Sequence, residues 1–419
     1  MSVRRTSSTT VAGRNGSSLI DANWVPIPIV QVDLDAMTDV DISDVTSGQR
    51  VWMEVVKQGQ VVGILEVVAE GGKLTLQRLE ELTVDFKNMV VSPHVAVPDD
   101  LLPPATVVVP TICQDPSRLL LTVETLLALD YPDFDIIVVD NRRDSRSVPL
   151  PSFPGGDRVR VFAEPKPGVS AARNRGIANA TGEFIAFTDD DVVIEVNWLR
   201  ELGTRFVTSP EVDGIGGLVL PTELRTQPQL WFEEFFGGFN HTFSAELLSM
   251  ELLAKTDEMF PYATGRFGAG CNMAFRRSAL QRNGGFDVTL GTGTPARGGE
   301  DLALFMKQVL TGGTLAYEPR AVVHHQHRQS DDAFLTQVFG YGVGLTAMFT
   351  ALIIRDPRHL AKMIRRIPAG YRLLTKPRDE RSPSTSASYP RRAYVRHLLG
   401  MVYGPVAYAR SVLRNYFQD

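Results

Sequence analysis

Three consecutive carboxylates, Asp189, Asp190 and Asp191, close the stretch GEFIAFTDDD (182–191) directly after the apolar run Phe184 to Phe187. A short run of that kind reads as a strand buried on both faces of a parallel sheet. Like charges at the end of such a strand repel one another unless a cation joins them. Oxygen donors suit a hard divalent ion, Mg2+ or Mn2+. In open α/β sheets ligands sit outside the carboxyl ends of the strands, where these side chains emerge. Taken alone, DDD is more often a solvated acidic turn. A second pair, Glu300 and Asp301 in GGEDLAL, opens a helical pattern carried by Leu302, Phe305 and Val309. The helix dipole explains such a pair cheaply as a cap, whereas crowded carboxylates in a cleft are also where a general base is found. Finally, AVVHHQH (321–327) places three histidines behind the strand-like LAYEP. For an unplaced His cluster a solvated turn is the commoner fate.

These groups need a frame. TVVVPT (106–111), DIIVVD (135–140) and Val159 to Phe162 read as further buried strands, with helical patterns over 118–129 and 171–178 between them. Strand and helix alternate, which predicts an α/β fold with a mostly parallel, Rossmann-like sheet and helices on both faces. Two strands end in Pro110-Thr111 and Asp140-Asn141, polar groups that would line a nucleotide crevice. Asp140 is equally explained as a turn cap. In GVSAARNRG (168–176), Arg173 and Arg175 stand two apart and so point to different faces of a helix, one toward the crevice and one to solvent. Asn174 and Gly176 are poor helix formers retained in that pattern, which calls for a packing or functional reason.

The ordered succession TVVVPT, IIVVDN, GVSAARNRG, GEFIAFTDDDV, FGAGCNMAFRRSAL, GGF (284–286), GGEDLAL and YEPRAVVHHQH resembles the family 2 glycosyltransferases of the GT-A nucleotide-sugar fold, actinobacterial type, from about Thr106 to Pro357. The resemblance implies that Pro110, Thr111, Asp140 and Arg173 hold the nucleotide, with Asp189 near the ribose and Asp190, grouped with donor binding, sharing either that task or the metal. It implies that Asp191 and His325, the latter six residues after Pro319, hold Mn2+ or Mg2+. Asp301 would be the general base and Glu300 its neighbour; His324 receives no role, and His327 a contact to phosphate. The implied partners are a nucleotide-sugar donor and a glycan or lipid-linked acceptor, and the reaction a metal-dependent, inverting transfer. A nucleotidyltransferase would need a Gly-rich, basic loop after the first strand, where this chain has TICQDPSRL. A non-catalytic membrane-associated scaffold is the other rival, and the joint presence of DDD, ED and the histidines speaks against it.

The remainder bounds the reading. With 43% hydrophobic and 22% charged residues the 419-residue chain is that of a core-forming globular protein. The two cysteines, Cys113 and Cys271, exclude a disulfide framework and read as small buried thiols. Residues 1–23 lack an apolar signal region and read as a disordered leader ahead of a cytoplasmic protein. Residues 24–91 predict a small β-rich module with a hairpin around Lys57-Gln58-Gly59-Gln60, residues 104–330 the GT-A domain, and 331–419 an apolar helix with a basic helical tail. Residues 355–419 contain fourteen Lys and Arg against four acids, while the preceding part is net acidic. Such a tail suggests an anionic membrane surface, peripheral on the inner face of the plasma membrane; no nucleic acid is expected. Residues 333–354 carry no charge and are long enough to cross a bilayer. The positive tail after them would stay cytoplasmic and leave the catalytic part outside, so a buried or interfacial helix is expected.

Overall fold

A computed structural model describes residues 24–417 apart from 90, 92, 144–148, 237, 240–241, 255 and 376–389. The leader therefore lies outside the described residues, as does part of the basic tail.

The N-terminal module is built on β1 (Ile29–Asp33), β3 (Arg50–Lys57) and β4 (Gln60–Val68), with a small ladder of β2 (Val40–Asp41) and β5 (Lys73–Leu74) beside them. The β3–β4 turn is the expected one. Lys57 pairs with Gln60, and the two loop residues Gln58 and Gly59 both have positive φ, 51° and 72°, the requirement of a hairpin whose turn follows the strand twist. Helices α1 (Leu76–Leu82), capped by Thr75, and α2 (Val84–Lys87) close the module. It docks on the larger domain through Val56 and Val61, which share a core with Leu218, Leu220 and Val322, and through an ion pair from Arg50 to Glu234 at 2.6 Å.

The large domain carries β6 (Ala105–Thr111), β7 (Phe134–Asp140), β8 (Val159–Ala163), β9 (Phe184–Phe187), β10 (Val192–Ile194), β11 (Val212–Pro221), β12 (Glu246–Leu248), β13 (Met273–Arg276) and β14 (Thr314–His325). Between them run α3 (Pro116–Leu127), α4 (Val169–Asn179), α5 (Trp198–Thr208), α6 (Gln227–Phe236), α7 (Met250–Leu253), α8 (Arg277–Asn283) and α9 (Glu300–Leu310). The sheet order is β10-β14-β11-β13-β9-β6-β7-β8, with β12 on β14. The half from β8 to β9 is parallel, as is the β11–β14 pair, while β13 is inserted antiparallel between β9 and β11. Two apolar clusters, one on each face of the sheet, form the core.

This topology decides where the site lies. The chain runs β6 to β7 to β8 on one side, then returns to place β9 on the other side of β6. That reversal leaves a crevice beyond the carboxyl ends of β6 and β9, and Thr111 and the three aspartates both open into it. Asn174 and Gly176 have packing roles: the Asn174 amide exchanges two hydrogen bonds with the Phe286 backbone, each 2.9 Å, and a Cβ on Gly176 would strike Val108.

Three helices follow: α10 (Asp331–Arg355), α11 (Arg358–Thr375) and α12 (Arg391–Tyr416). By length and composition α10 could cross a membrane, yet Phe334, Val338, Val343, Ala347 and Met348 are buried and packed against the large domain and α12. Phe339 lies against Tyr403 of α12. Just under half of its apolar span is buried in this way, and Ile354 near its end stays exposed.

Candidate active site

Arg173 is the hub. It is 2% exposed, projecting from α4 between the end of β9 and the start of α9. One guanidinium nitrogen donates to Glu300 Oε1 at 2.8 Å, the other to Asp189 Oδ1 at 3.1 Å and to the Gly270 carbonyl at 3.1 Å. Arg175, two residues on, is exposed. The helical spacing therefore splits the pair as expected, and the inward arginine ties the DDD end to the ED pair.

Register sets the rest. β14 pairs antiparallel with β10, His325 opposite Val192, which brings its Nε2 to 3.3 Å from Asp191 Oδ1. The Thr111 hydroxyl donates to Asp190 across the β6–β9 crevice. Asp301 accepts from the Gly270 amide at 2.8 Å through Oδ2 and from the Leu302 amide at 2.7 Å through Oδ1. One oxygen is thus held by an amide at the start of α9, where negative charge is favoured, and the other by an amide in the turn before β13.

Electrostatics follow from burial. Glu300 is pushed up to about 7, chiefly by desolvation and then by the neighbouring Asp301 charge, with Arg173 opposing. Burial raises Asp190 to about 6, against the stabilising Thr111 hydrogen bond, and raises Asp189 as well. Burial also lowers His325, so the imidazole is held neutral and able to ligate. Its Nδ1 is buried with no hydrogen-bond partner among the described residues.

That donor set fits a divalent cation. Ligand atoms of Asp189, Cys271 and His325 lie within 4.8 Å of one another, and Asp191 touches the same imidazole. Cys271 was not singled out from the sequence, where it looks like a small core thiol. Burial raises its pKa, and a protonated thiol is a poor donor for a hard ion. The carboxylates and His325 are the groups suited to hold one.

Two adjoining cavities share this wall. The smaller, about 530 Å³, is lined by Pro110, Thr111, Arg118, Asn141, Arg173, the three aspartates, Glu300, His325 and Arg328. The larger, about 1150 Å³, opens over Glu300 and Asp301 and is walled by Phe239, Arg297 and the α10 residues Gln337, Gly340, Tyr341 and Gly344. Asp140 stands in register beside Thr111, but its carboxylate receives the Arg142 guanidinium at 2.8 and 2.7 Å and lines neither cavity. Asn141 lines the crevice instead. His327 turns away to a buried pair with Glu233, and His324 meets Glu195 at 2.9 Å. Arg118 and Arg328 are cavity cations that the sequence reading did not pick out. On α6, Trp231 and Phe232 are buried, and beyond that helix Phe239 packs edge-on to His325 at 4.9 Å between centroids.

Residues 106–284 match the family model described as glycosyl transferase family 2. That match marks the segment 106–284 as a glycosyl transferase family 2 region, and glycosyltransferases are among its relatives. Over 235 residues the chain is 30% identical to a pre-mycofactocin glycosyltransferase of Mycobacterium tuberculosis, spanning 55% of the chain and 44% of that protein. The succinoglycan biosynthesis protein ExoM of Rhizobium meliloti is 30% identical over 214 residues, 48% of the chain and 61% of its own length. A glucosyl-dolichyl phosphate glucuronosyltransferase of Haloferax volcanii is 26% identical over 241 residues, 54% and 71% respectively. The chain thus spans less than half of the first of these relatives. A mannosyltransferase from Pyrobaculum calidifontis, solved in complex with GDP-Man and Mn2+, is similar at a TM-score of 0.43 and 16% identity, covering 81% of this chain and 94% of that one. A likeness that loose says nothing about donor or metal here.

Proposed function

We propose that this chain is a metal-dependent, inverting glycosyltransferase that moves a sugar from a nucleotide-sugar donor to a hydroxyl of a glycan or lipid-linked acceptor. The observation that carries this reading is the Arg173 bridge. It fixes the DDD end, beside the smaller cavity, against Glu300 and Asp301, beside the larger one. Donor and acceptor therefore meet along a single wall.

In this reading the smaller cavity takes the donor. Pro110, Thr111, Asn141 and Asp190 line its nucleotide end, with Asp140 held behind them by Arg142. Asp189, Asp191 and His325 would hold Mn2+ or Mg2+, which when bound offsets negative charge on the leaving diphosphate. Arg328 adds a protein cation on the same side. The acceptor enters the larger cavity, and Asp301 takes the proton from its hydroxyl. The carboxylate is aimed for this by the Gly270 and Leu302 amides. Inversion follows from attack on the face of the anomeric carbon opposite the leaving nucleotide. Glu300 and Arg173 do not touch the reacting atoms; they position Asp301 and Asp189. Holding two substrates in line supplies much of the acceleration.

Purified protein screened by thermal shift and donor hydrolysis against a panel of nucleotide sugars, with Mn2+ and with chelator, tests the proposal. A metal-dependent shift with one nucleotide class and slow release of its sugar are expected. Stabilisation by nucleoside triphosphates alone, with pyrophosphate release, would transfer the chain to nucleotidyl chemistry and overturn it.

A further inference from the structure

The surface of α12 is unlike the rest of the molecule. Its inner face, with Gly400, Gly404, Ala407 and Ser411, is buried against α10. A Cβ on Gly400 would come within 3.1 Å of the Val343 nitrogen, and one on Gly404 within 2.7 Å of the Val343 carbonyl, so the two helices meet backbone to backbone. The outer face is apolar. Val395, Leu399, Val402, Val406, Leu413 and Tyr416 follow the four-and-three spacing of one helix face and are 50–79% exposed. That stripe runs 22 residues, ~30 Å along the axis. On α11, Leu360, Ile364 and Ile367 repeat the pattern at i, i+4 and i+7, 47–64% exposed. Single exposed aliphatics are ordinary, whereas contiguous stripes mark a surface that something covers.

Charge chooses the occupant. Between Arg391 and Tyr416 there are five arginines and no Asp or Glu, and Lys362, Arg365 and Arg366 flank the α11 stripe, while Arg358 at the helix start is paired with Asp356 at 2.8 Å. The spacing would also suit a helix from a second copy. Such a pair would set arginine against arginine with no carboxylate on either helix to answer it. Anionic headgroups answer both features at once, the apolar stripe entering the acyl boundary and the arginines meeting phosphates. The position is apt as well. Arg414 donates to the Gly293 and Pro167 carbonyls at 3.0 and 3.1 Å, tying α12 to a loop at the cavities, and His397 lines the larger one.

We infer that the outer face of α12, with the stripe of α11, is a docking surface for an anionic lipid bilayer. It sets the larger cavity beside the membrane, within reach of a hydroxyl on a lipid-borne acceptor. That last step rests on the glycosyltransferase reading; the docking itself does not, and its test uses no activity.

The test is co-sedimentation of the full chain with vesicles of phosphatidylcholine alone or mixed with phosphatidylglycerol. Binding is expected only to the mixed vesicles, and it should fall as salt rises. Val402→Asp with Val406→Asp should weaken it at least ~10-fold, as should Arg392→Glu with Arg396→Glu. Leu121→Asp, at an exposed apolar position on α3, should bind as the parent does. Circular dichroism confirms that the outer-face variants fold. Absence of binding to phosphatidylglycerol vesicles overturns the proposal, as does binding indifferent to Val402→Asp with Val406→Asp. A dimer in sedimentation velocity that Val402→Asp disperses would assign the face to a second copy and overturn it too.

Discussion

Glu300→Gln isolates the electrostatic strain of the site. Desolvation, reinforced by the Asp301 charge, lifts the Glu300 carboxyl from 4.5 to about 7, a difference worth ~3 kcal/mol between its two protonation states. Between those pH values the folded chain keeps a proton that the unfolded chain has already released. Stability therefore falls as pH rises through the window, and the full cost is present above pH ~7. Glutamine cannot titrate, and it retains an oxygen for the Arg173 donor. Relative to the parent, the variant should gain ~2.5 kcal/mol between pH 5 and pH 8. For a 419-residue chain the unfolding entropy is ~0.9 kcal/mol/K, so this is a relative Tm gain of ~3 °C. Scanning calorimetry of both proteins at the two pH values, in chelator, measures it. Equal Tm differences at pH 5 and pH 8 would show that Glu300 does not carry the raised carboxyl and refute the account of the hub.

Three further outcomes follow from the geometry. Asp301→Asn should bind donor as the parent does and lose kcat by ~100-fold or more; a matching loss of donor affinity would make Asp301 a donor ligand or cap. Asp191→Asn should remove Mn2+-dependent binding of a nucleoside diphosphate in titration calorimetry, and unchanged affinity would take Asp191 out of the metal site. Gly344→Ala should cost ~1–3 kcal/mol by overpacking, since the new Cβ would stand 2.8 Å from the Gly298 carbonyl carbon and 3.0 Å from the Gly299 nitrogen. Because that contact abuts the start of α9, kcat should fall more than donor affinity; an unchanged kcat would show that α10 does not position the pair.

The sequence made the strands and the switch-point crevice legible because both rest on local pattern. Phe184 to Phe187 and Val107 to Val109 are apolar throughout, and the carboxylates stand where those runs end. Partners that depend on distant register were less visible. Arg173 lines the crevice and also meets Glu300 across 127 positions of chain, a contact no spacing rule contains. Asp140 shows the opposite case. Its Arg142 partner lies only two residues away, within the local side-chain-to-backbone turn that aspartate favours, since the Arg142 amide also donates to it at 3.1 Å. Cys271 looked inert because nothing near it in sequence suggests a ligand; β13, inserted antiparallel next to β9, sets the chain just before it against the DDD end.

Helix α10, uncharged from 333 to 354, was the most ambiguous stretch, and the structure resolves it through glycine. Gly340, Gly342 and Gly344 are not a lipid-facing device. Gly344 lies against Gly298 and Gly299, which precede Glu300 and Asp301, and a Cβ on Gly342 would stand 2.9 Å from the Met401 nitrogen of α12. Thus α10 is pressed between the site and the basic helix, and its apolarity serves two protein contacts at once. This bears on how the membrane inference can be examined. Cutting the chain after Pro357 would strip α12 from α10 and bare Phe339, Val343 and the glycine backbone. The truncated protein would then stick to vesicles or aggregate for reasons unrelated to its native surface. It would also lose the Arg414 tie to Gly293 and the His397 wall of the cavity, so any fall in activity would be uninterpretable. Substitutions confined to the outer face, such as Val402→Asp, leave both inner contacts in place and alone separate docking from folding.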